Sequence, residues 1–254
     1  MSRTLGVIPA RMNSSRFPGK PLASLLGRPM IAHVFERTAQ CTDLDEVVIA
    51  TCDTIIATAA ASFGARAVMT SASHERATDR VAEVSANDAA DIIVMVQGDE
   101  PMIRPEMIAA AIAPLRAEPG LACVNLAAAI QTEQELIDPN TIKVVTAHNG
   151  DALFFSRSPI PYLGKRPYHS AMFLKQVCVI AFRRASLQQF ASLPQGPLEI
   201  AESVDMLRFL ENGISIRMAR TTAVTHAVDT PEDLEHVAVW MTRDSDGGAH
   251  GIRA

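Results

Sequence analysis

Cysteine is scarce in this 254-residue chain, which has four, widely separated, at Cys41, Cys52, Cys123 and Cys178. No two of them form a CxxC pair, which argues against a zinc site and against a disulfide framework. We therefore expect free thiols that fill the hydrophobic core.

Basic charge is in deficit. The chain has 23 basic and 28 acidic residues, which give a net charge of −5. A protein with this balance does not present a general polyanion-binding surface. We therefore do not expect nucleic acid as a partner.

Long apolar runs are also missing. Residues 1–11, MSRTLGVIPAR, hold too few apolar residues for a signal-peptide core, and no later run approaches membrane-spanning length. These features predict a cytoplasmic protein without a membrane partner. With 48% hydrophobic residues, the chain can nevertheless bury a core of full domain size.

Signatures of several enzyme classes are absent as well. The chain has no GxSxG elbow for a hydrolase nucleophile and no GxGxxG dinucleotide loop, and its seven histidines form no HxxxH spacing. A P-loop would need glycine where the chain has Ser14 and serine or threonine where it has Pro21. These absences argue against a serine hydrolase, a dinucleotide-binding fold and a P-loop protein.

What the chain does have is an alternation of β-rich and helical apolar runs up to about residue 115. The strands VVIAT and DIIVMV are nearly continuous apolar runs, which predicts an α/β fold with a largely parallel sheet buried between helices. We expect a single domain over residues 1–242. The tail, residues 243–254, has almost no apolar side chains and is predicted to be disordered.

The pattern changes after residue 120. Longer strands and a hairpin signal at Asn149-Gly150 indicate a β-rich part, about residues 125–180. Two further helices are predicted, over residues 197–213 and 230–241, from their apolar spacing and their terminal residues.

A basic segment, VIPARMNSSRFPGKPL, includes the first predicted strand and the loop after it. It contains Arg11, Arg16 and Lys20 together with the small polar residues Asn13 and Ser14. In an open α/β sheet, ligands bind at the carboxyl ends of strands, and cations, hydroxyls and backbone amides suit a chain of phosphates. The alternative is a solvated basic loop without a ligand.

Six motifs stand in the order IPARMNSSRFPGKPLASLLGRPMIAHV, VQGDEPMI, PNTIKVV, FFSRSPIPY, PLEIAE and VDTPEDL. Together they resemble the cytidylyltransferases that activate 3-deoxy-manno-octulosonate (KDO), the CMP-KDO synthetases. The resemblance implies a Rossmann-like nucleotidyltransferase fold that joins CTP to a 2-keto-3-deoxy sugar acid and releases pyrophosphate. It also implies a magnesium-dependent homodimer, with dimerisation and sugar binding in the β-rich part.

Two acids are candidates for the metal site. Asp99 follows the strand DIIVMV, and Asp229 precedes the last predicted helix. The resemblance places both on Mg²⁺, which prefers one or two carboxylates with phosphate oxygens and water. With Arg11 and Lys20 they form the predicted catalytic set, for attack on the α-phosphorus of CTP without a covalent enzyme intermediate. The alternatives are a turn residue for Asp99 and a neighbour of a helix cap for Asp229.

A sugar acid needs a cation for its carboxylate. The guanidinium of Arg157, in FFSRSPIP, matches a carboxylate bidentately, and the resemblance gives it this contact. Hydrogen bonds to the sugar are expected from Gln97, Glu199 and Glu202, the last two on one polar face of their helix. Acidic residues in a first helical turn are also favoured by the helix dipole without any ligand.

Cytosine is expected to bind at MTSASHERATDR, residues 69–80, which corresponds to a family stretch HxxGT[DE]R. The candidate contacts are Ser71, Thr78 and Arg80, and Ala77 stands where the family has glycine. Alternatively, Thr78 is a helix N-cap and Arg80 forms a surface ion pair.

The segment QVCVIAFR departs from a family stretch resembling HLGIYGYR, with Gln176 in place of histidine and Ile180 in place of tyrosine. Replacing polar contacts retunes specificity while the nucleotide half stays intact. Gln176 remains a candidate acceptor contact, and an amino-octulosonate, a nonulosonate or a phosphonate is an alternative acceptor to KDO. The other hypotheses are a different triphosphate, and a nucleotide-binding protein whose acceptor site has decayed.

Overall fold

The computed structural model describes residues 2–14, 16–164, 168–169 and 172–245. The strands are β1 (Thr4–Ala10), β2 (Ser24–Leu25), β3 (Arg28–Pro29), β4 (Glu46–Thr51), β5 (Arg66–Met69), β6 (Ile92–Val96), β7 (Cys123–Ala129), β8 (Lys143–Thr146), β9 (Ala152–Ser156), β10 (Leu174–Arg183) and β11 (Ile216–Arg220).

The helices are α1 (Met30–Ala39), α2 (Thr54–Ser62), α3 (Ala77–Ala86), α4 (Pro105–Ala117), α5 (Glu133–Ile137), α6 (Arg184–Ser192), α7 (Pro197–Glu202), α8 (Leu207–Glu211) and α9 (Pro231–Ser245). A 3-10 turn covers Lys20–Leu22. The first three residues of the predicted tail belong to α9, and the rest of it, residues 246–254, lies outside the described residues.

Nine strands form one sheet, in the order β11-β7-β10-β6-β1-β4-β5, with the β8–β9 hairpin attached at β10. Strands β4 and β6 flank β1 and run parallel to it, β5 is parallel to β4, and β11 is parallel to β7. The predicted α/β fold with a mostly parallel sheet is confirmed. Strand β10 lies between β6 and β7 and is antiparallel to both, and the attached β8–β9 hairpin is also antiparallel.

Both faces of the central strands are buried, as their continuous apolar sequences predict. All seven residues of β1 and all five of β6 are buried. Along β6, Ile93 and Met95 belong to the apolar cluster that includes α3, α6 and α8. Val94 belongs to the cluster on the opposite face, which includes α1, α2 and α4. The strand order switches sides at β1, so a crevice opens at the carboxyl ends of β1 and β6.

The predicted helix over residues 197–213 is wrong in its extent. The chain forms α7 and α8 instead, and Ser203 between them has a left-handed φ of 52°. In one continuous helix, residues 199 and 208 would lie about 13 Å apart along the axis. The break instead lets Arg208 bind the Glu199 carboxylate through two hydrogen bonds of 2.7 Å each.

The predicted hairpin turn and helix end are confirmed. The β8–β9 turn contains Gly150 with a φ of +86°, and Gly213 follows α8 with a φ of +71°. The four cysteines are free thiols, of which Cys41 and Cys123 are buried in the core as predicted, whereas Cys52 and Cys178 are half-buried. In the part of the chain that the structure describes, every helix is too short or too polar to span a membrane.

Candidate active site

The basic segment forms a compact loop after β1. The Met12 amide donates to the Asp53 carboxylate (2.8 Å), and the Met12 carbonyl accepts the Gly19 amide (3.0 Å). Gly19 has a φ of +76°, a left-handed conformation that costs glycine little. The chain then enters the 3-10 turn that begins at Lys20, which directs this lysine into the crevice.

The turn after β6 lies directly against the end of β1, where this loop begins. A Cβ on Gly98 would be 2.8 Å from the carbonyl oxygen of Pro9, so a side chain at this position would force the two segments apart. Because glycine allows the close approach, the next residue, Asp99, lies beside the basic loop.

Three charged groups meet at this point. The Lys20 Nζ is 2.7 Å from Oδ2 of Asp99 and 3.6 Å from Oδ1 of Asp229. It also donates to the Val228 carbonyl (2.7 Å), and the Val228 amide donates to the Asp99 carbonyl (2.9 Å). Two acids that are distant in sequence therefore form ion pairs with one ammonium group.

Further contacts fix Asp229. Its Oδ1 accepts a hydrogen bond from the Arg16 guanidinium (3.0 Å), which also donates to Asn140. The amides of Asp229 and Thr230 donate to the Asp233 carboxylate (3.0 and 2.9 Å) in the first turn of α9. The helix start therefore sets the direction of the backbone that presents this acid.

These groups line an open cleft of about 280 Å³ at the carboxyl ends of β1 and β6. The predicted site residues in its lining are Arg11, Ser14, Arg16, Lys20, Arg80, Gln97, Asp99 and Asp229. The segment His74–Ala77 completes one wall. The structure therefore brings the whole predicted catalytic set into one cleft.

The donor set fits a magnesium ion. Asp99 and Asp229 supply two carboxylates beside a cationic wall, and within the described residues no third His, Cys, Asp or Glu joins them as a candidate ligand. The other coordination positions would fall to phosphate oxygens and water. Mg²⁺ prefers this combination in proteins.

The residues predicted to bind cytosine are divided between two environments. Arg80 lines the cleft, is buried, and donates to the Thr70 hydroxyl. Thr78 is fully buried outside the cleft lining, where its hydroxyl donates to Oδ2 of Asp205 (2.6 Å). Burial raises the pKa of the Asp205 carboxyl, although the hydrogen bond from Thr78 opposes this shift. Thr78 therefore ties α3 to the α7–α8 turn.

Two more predicted substrate contacts point elsewhere. The Ser71 hydroxyl lies 2.7 Å from the Ser73 hydroxyl, and the Ser71 amide donates to Glu83 (2.9 Å). Asn13 is exposed. Both lie outside the lining of the cleft.

The residues predicted to bind the acceptor are mostly engaged within the protein. Glu202 accepts hydrogen bonds from the Ser156 hydroxyl (2.8 Å) and the Arg157 amide (2.9 Å). Glu199 was predicted to share one polar face with Glu202, but it is fully buried and Arg208 occupies both of its carboxylate oxygens. Arg157 and both glutamates lie outside the cleft lining, in which only Gln97 of this group takes part.

The segment that departs from the family stretch is packed into the sheet. The Gln176 amide donates to Oδ1 of Asn125 (2.6 Å), and Asn125 is fully buried at the irregularity between β7 and β10. Ile180 is buried in the core. At both positions the side chain contacts protein and not the cleft.

Glu100, next to Asp99, is also buried and accepts a hydrogen bond from the Thr225 hydroxyl (2.5 Å). Burial raises the pKa of its carboxyl to about 7, with a further increase from the charge of Asp99. The Thr225 hydrogen bond acts in the opposite direction. Glu100 therefore holds its proton more tightly than an ordinary glutamate.

Arg76 is the main lining residue that sequence reasoning missed. It precedes α3 and belongs to the segment predicted to bind cytosine. Since an arginine in a loop has no periodicity or motif spacing that marks it as functional, only that location could have drawn attention to it.

Comparisons with known proteins agree with this geometry. A family model described as cytidylyltransferase matches residues 5–216. The 3-deoxy-manno-octulosonate cytidylyltransferase of Solibacter usitatus is 48% identical over 236 residues, 93% of this chain and 93% of that protein. A solved structure of CMP:2-keto-3-deoxy-manno-octonic acid synthetase complexed with CTP is 44% identical. It superposes with a TM-score of 0.88 and covers 96% of this chain and 100% of its own.

A more distant structure matches the fold alone. The 4-diphosphocytidyl-2C-methyl-D-erythritol synthase from Anaerococcus prevotii is 14% identical, with a TM-score of 0.62 over 95% of this chain and 99% of its own. The resemblance read from the six sequence motifs is confirmed. The chain belongs to the cytidylyltransferase family, among relatives that are 3-deoxy-manno-octulosonate cytidylyltransferases.

Proposed function

We propose that this enzyme transfers CMP from CTP to the anomeric hydroxyl of KDO and releases pyrophosphate. The main support is that Asp99 and Asp229 converge on Lys20, at 2.7 and 3.6 Å, beside the basic loop. This arrangement occurs in a chain 48% identical to a 3-deoxy-manno-octulosonate cytidylyltransferase.

The cationic wall binds the triphosphate. Arg11, Arg16 and Lys20 line the cleft together with Ser14, so guanidinium and ammonium donors face the phosphate oxygens. A magnesium ion held by Asp99 and Asp229 would neutralise phosphate charge and orient the α-phosphate for in-line attack. Since these groups are fixed before substrate binds, they stabilise the charge of the transition state at little reorganisation cost.

The remaining lining residues define the other two parts of the site. Arg80 and the backbone around Ala77 lie at the cytosine end, and the Gln97 amide, two residues before Asp99, offers hydrogen bonds to the acceptor hydroxyls. The sugar and the α-phosphate are then held in one orientation, which lowers the entropic barrier to reaction.

Other ulosonic acids are the second candidate acceptors. One observation favours them: Gln176 binds Asn125, and Ile180 is buried, so both positions that depart from the family stretch contact protein. A site with fewer polar contacts to one sugar discriminates less strongly against related sugars.

The reaction is proposed to take place in the cytoplasm, where CTP is available, in a homodimer. Exposed apolar side chains in the β-rich part support the dimer, among them Ile137, Leu153 and Met172 at 53%, 62% and 49% exposure. Sedimentation equilibrium tests the assembly. A single species of monomer mass at micromolar concentration contradicts it.

A pyrophosphate-release assay with CTP, UTP, ATP or GTP and a panel of keto-deoxy acids tests the proposed activity. We expect turnover with CTP and KDO and a loss of about 100-fold or more in Asp99→Asn, since a ligand of the metal is removed. The matched control is Asp43→Asn, a carboxylate paired with Arg116 outside the cleft, which we expect to retain activity. No turnover with any acceptor would contradict the enzymatic proposal and favour a nucleotide-binding protein.

A further inference from the structure

The cation predicted to bind the acceptor carboxylate, Arg157, is occupied by the protein itself. Its Nε donates to the Glu202 carbonyl (2.8 Å), its Nη1 to the Pro139 carbonyl (2.8 Å) and its Nη2 to the Ser203 carbonyl (3.2 Å). Each guanidinium nitrogen therefore donates one hydrogen bond to a backbone carbonyl, which uses three of its five N–H groups. These contacts join the end of α7 to the turn before β8, outside the cleft lining.

Arg76 meets the same turn from the cleft side. Its Nη1 donates to the Ser203 hydroxyl (2.9 Å). The two arginines therefore bind the same residue: Arg157 binds the Ser203 carbonyl, and Arg76 binds the Ser203 hydroxyl. Arg76 lines the cleft, and its side chain is 23% exposed. It is therefore the cation that the cleft shares with the region assigned by resemblance to the acceptor.

The hydrogen-bonding capacity of Arg76 is not used up. Among the described residues its buried Nε has no hydrogen-bond partner. The nearest carboxylate oxygen, Oε1 of Glu199, is 3.6 Å away and is already bound by Arg208 at 2.7 Å. A buried donor without a partner is costly, and it becomes satisfied if an acceptor arrives from the cleft.

The other nearby acid is also engaged. The charge of Arg76 acts on Asp205, but Asp205 accepts its hydrogen bond from Thr78 (2.6 Å). Arg76 thus faces two acids, Glu199 and Asp205, without a hydrogen bond to either. Both acids attract the guanidinium electrostatically, and neither accepts a hydrogen bond from it.

We propose that Arg76 binds the carboxylate of the acceptor sugar acid. A guanidinium offers the planar pair of donors that a carboxylate matches. The phosphates have their own cations, Lys20 and Arg16, which contact the two metal-site acids. Arg157 is a positioning residue that holds Ser203, and through it Arg76, in place. This inference rests on the proposed transfer to a sugar acid.

The test compares wild type with Arg76→Gln on two acceptors, KDO and its C1 carboxamide, with pyrophosphate release and separate CTP titrations. In the wild type we expect the carboxamide to raise the acceptor KM by about 10- to 100-fold, the usual range for a charge-assisted hydrogen bond. Arg76→Gln raises the KM for KDO by a similar factor, and the carboxamide then causes little further loss. The KM for CTP stays within about threefold of wild type in both cases.

The control variant is Arg66→Gln, which removes an exposed guanidinium that pairs with Glu46 and leaves all parameters near wild type. If Arg76→Gln raises the KM for CTP and not that for KDO, or if the carboxamide penalty is unchanged in Arg76→Gln, the Arg76 assignment is overturned. A wild-type enzyme that fails with every keto-deoxy acid refutes the proposed function itself, and with it this inference. The two failures are therefore distinguishable.

Discussion

The geometry of the site depends on Gly98 having no side chain. A Cβ would lie 2.8 Å from the Pro9 carbonyl oxygen, and backbone cannot move aside cheaply. We expect Gly98→Ala to lower the free energy of unfolding by about 1–3 kcal/mol and to lower kcat/KM as Asp99 is displaced from Lys20. Urea unfolding and pyrophosphate release measure the two effects.

The matched control is Gly120→Ala. A Cβ there would meet open space, and Gly120 has no left-handed φ. The same substitution should leave stability within about 1 kcal/mol of wild type. If the two variants are equally stable and equally active, the close approach at Gly98 does not position the site.

Glu100 gives a pH-dependent prediction for the metal-free protein. Burial raises the pKa of its carboxyl from 4.5 to about 7. Between these values the native state holds a proton that the unfolded state has lost, so this group lowers stability as the pH rises from about 4.5 to 7, by roughly 3 kcal/mol in total.

The corresponding variant is Glu100→Gln, which cannot ionise. In EDTA, its free energy of unfolding relative to wild type should increase as the pH rises through this window and then level off above about pH 7. Urea unfolding at pH 5, 6, 7 and 8 provides the measurement. Stability curves that run parallel across the whole range would contradict the raised pKa.

That Lys20, Asp99 and Asp229 line one cleft could be predicted from sequence because strand ends, a helix start and motifs mark them. Lys20 and Asp99 follow apolar strands, and Asp229 precedes a helix start. Arg76 and the engagement of Arg157 could not be predicted in this way, since both depend on which backbone carbonyls lie nearby in the folded chain.

At the scale of elements, the β8–β9 hairpin is held by a buried lysine. Lys143 is fully buried, and its Nζ donates to the carbonyls of Asp138 (2.9 Å), Thr141 (2.7 Å) and Arg157 (2.5 Å). Burial lowers the pKa of this ammonium group. One side chain therefore connects the turn before β8 to the segment after β9.

We expect Lys143→Met to lower the free energy of unfolding by about 3 kcal/mol or more, because three partly buried carbonyls lose their charged donor at once. The control is Lys175→Met on β10, which removes an ion pair with Glu135 and should cost about 1 kcal/mol or less. Urea unfolding of both variants gives the comparison. Equal losses would mean that the three carbonyl contacts do not stabilise this part of the protein.

The α7–α8 region shows why an element boundary was predicted wrongly. Apolar spacing and the glycine at Gly213 favour one helix, because sequence periodicity reports local preference. The buried pair of Glu199 and Arg208 requires the chain to fold back at Ser203. A pairing of this kind is a tertiary interaction, and it overrides the local pattern. The long apolar strands were predicted correctly because a strand that is buried on both faces is a nearly continuous run of apolar residues.

At the scale of the whole molecule, topology assembles the site. Strand β1 is flanked by β4 on one side and β6 on the other, so the loops after β1 and β6 open into the same crevice. The segment before α9 closes this crevice through the Val228 amide, which donates to the Asp99 carbonyl (2.9 Å). Lys20 from the first third of the chain, Asp99 from the middle third and Asp229 from the last third thus meet at one point. The apolar runs predict the strands, whereas the meeting of Asp99 and Asp229 was expected only from the family resemblance, because it depends on the order of the sheet.

Calorimetric titration of CTP at increasing Mg²⁺ concentration, in wild type and in Asp229→Asn, tests this two-acid site most directly. The wild-type affinity for CTP should increase with Mg²⁺, and Asp229→Asn should need about tenfold or more Mg²⁺ for the same increase, since one of two carboxylate ligands is lost. If Asp229→Asn follows the same Mg²⁺ dependence as wild type, the acids brought together at Lys20 do not form the metal site.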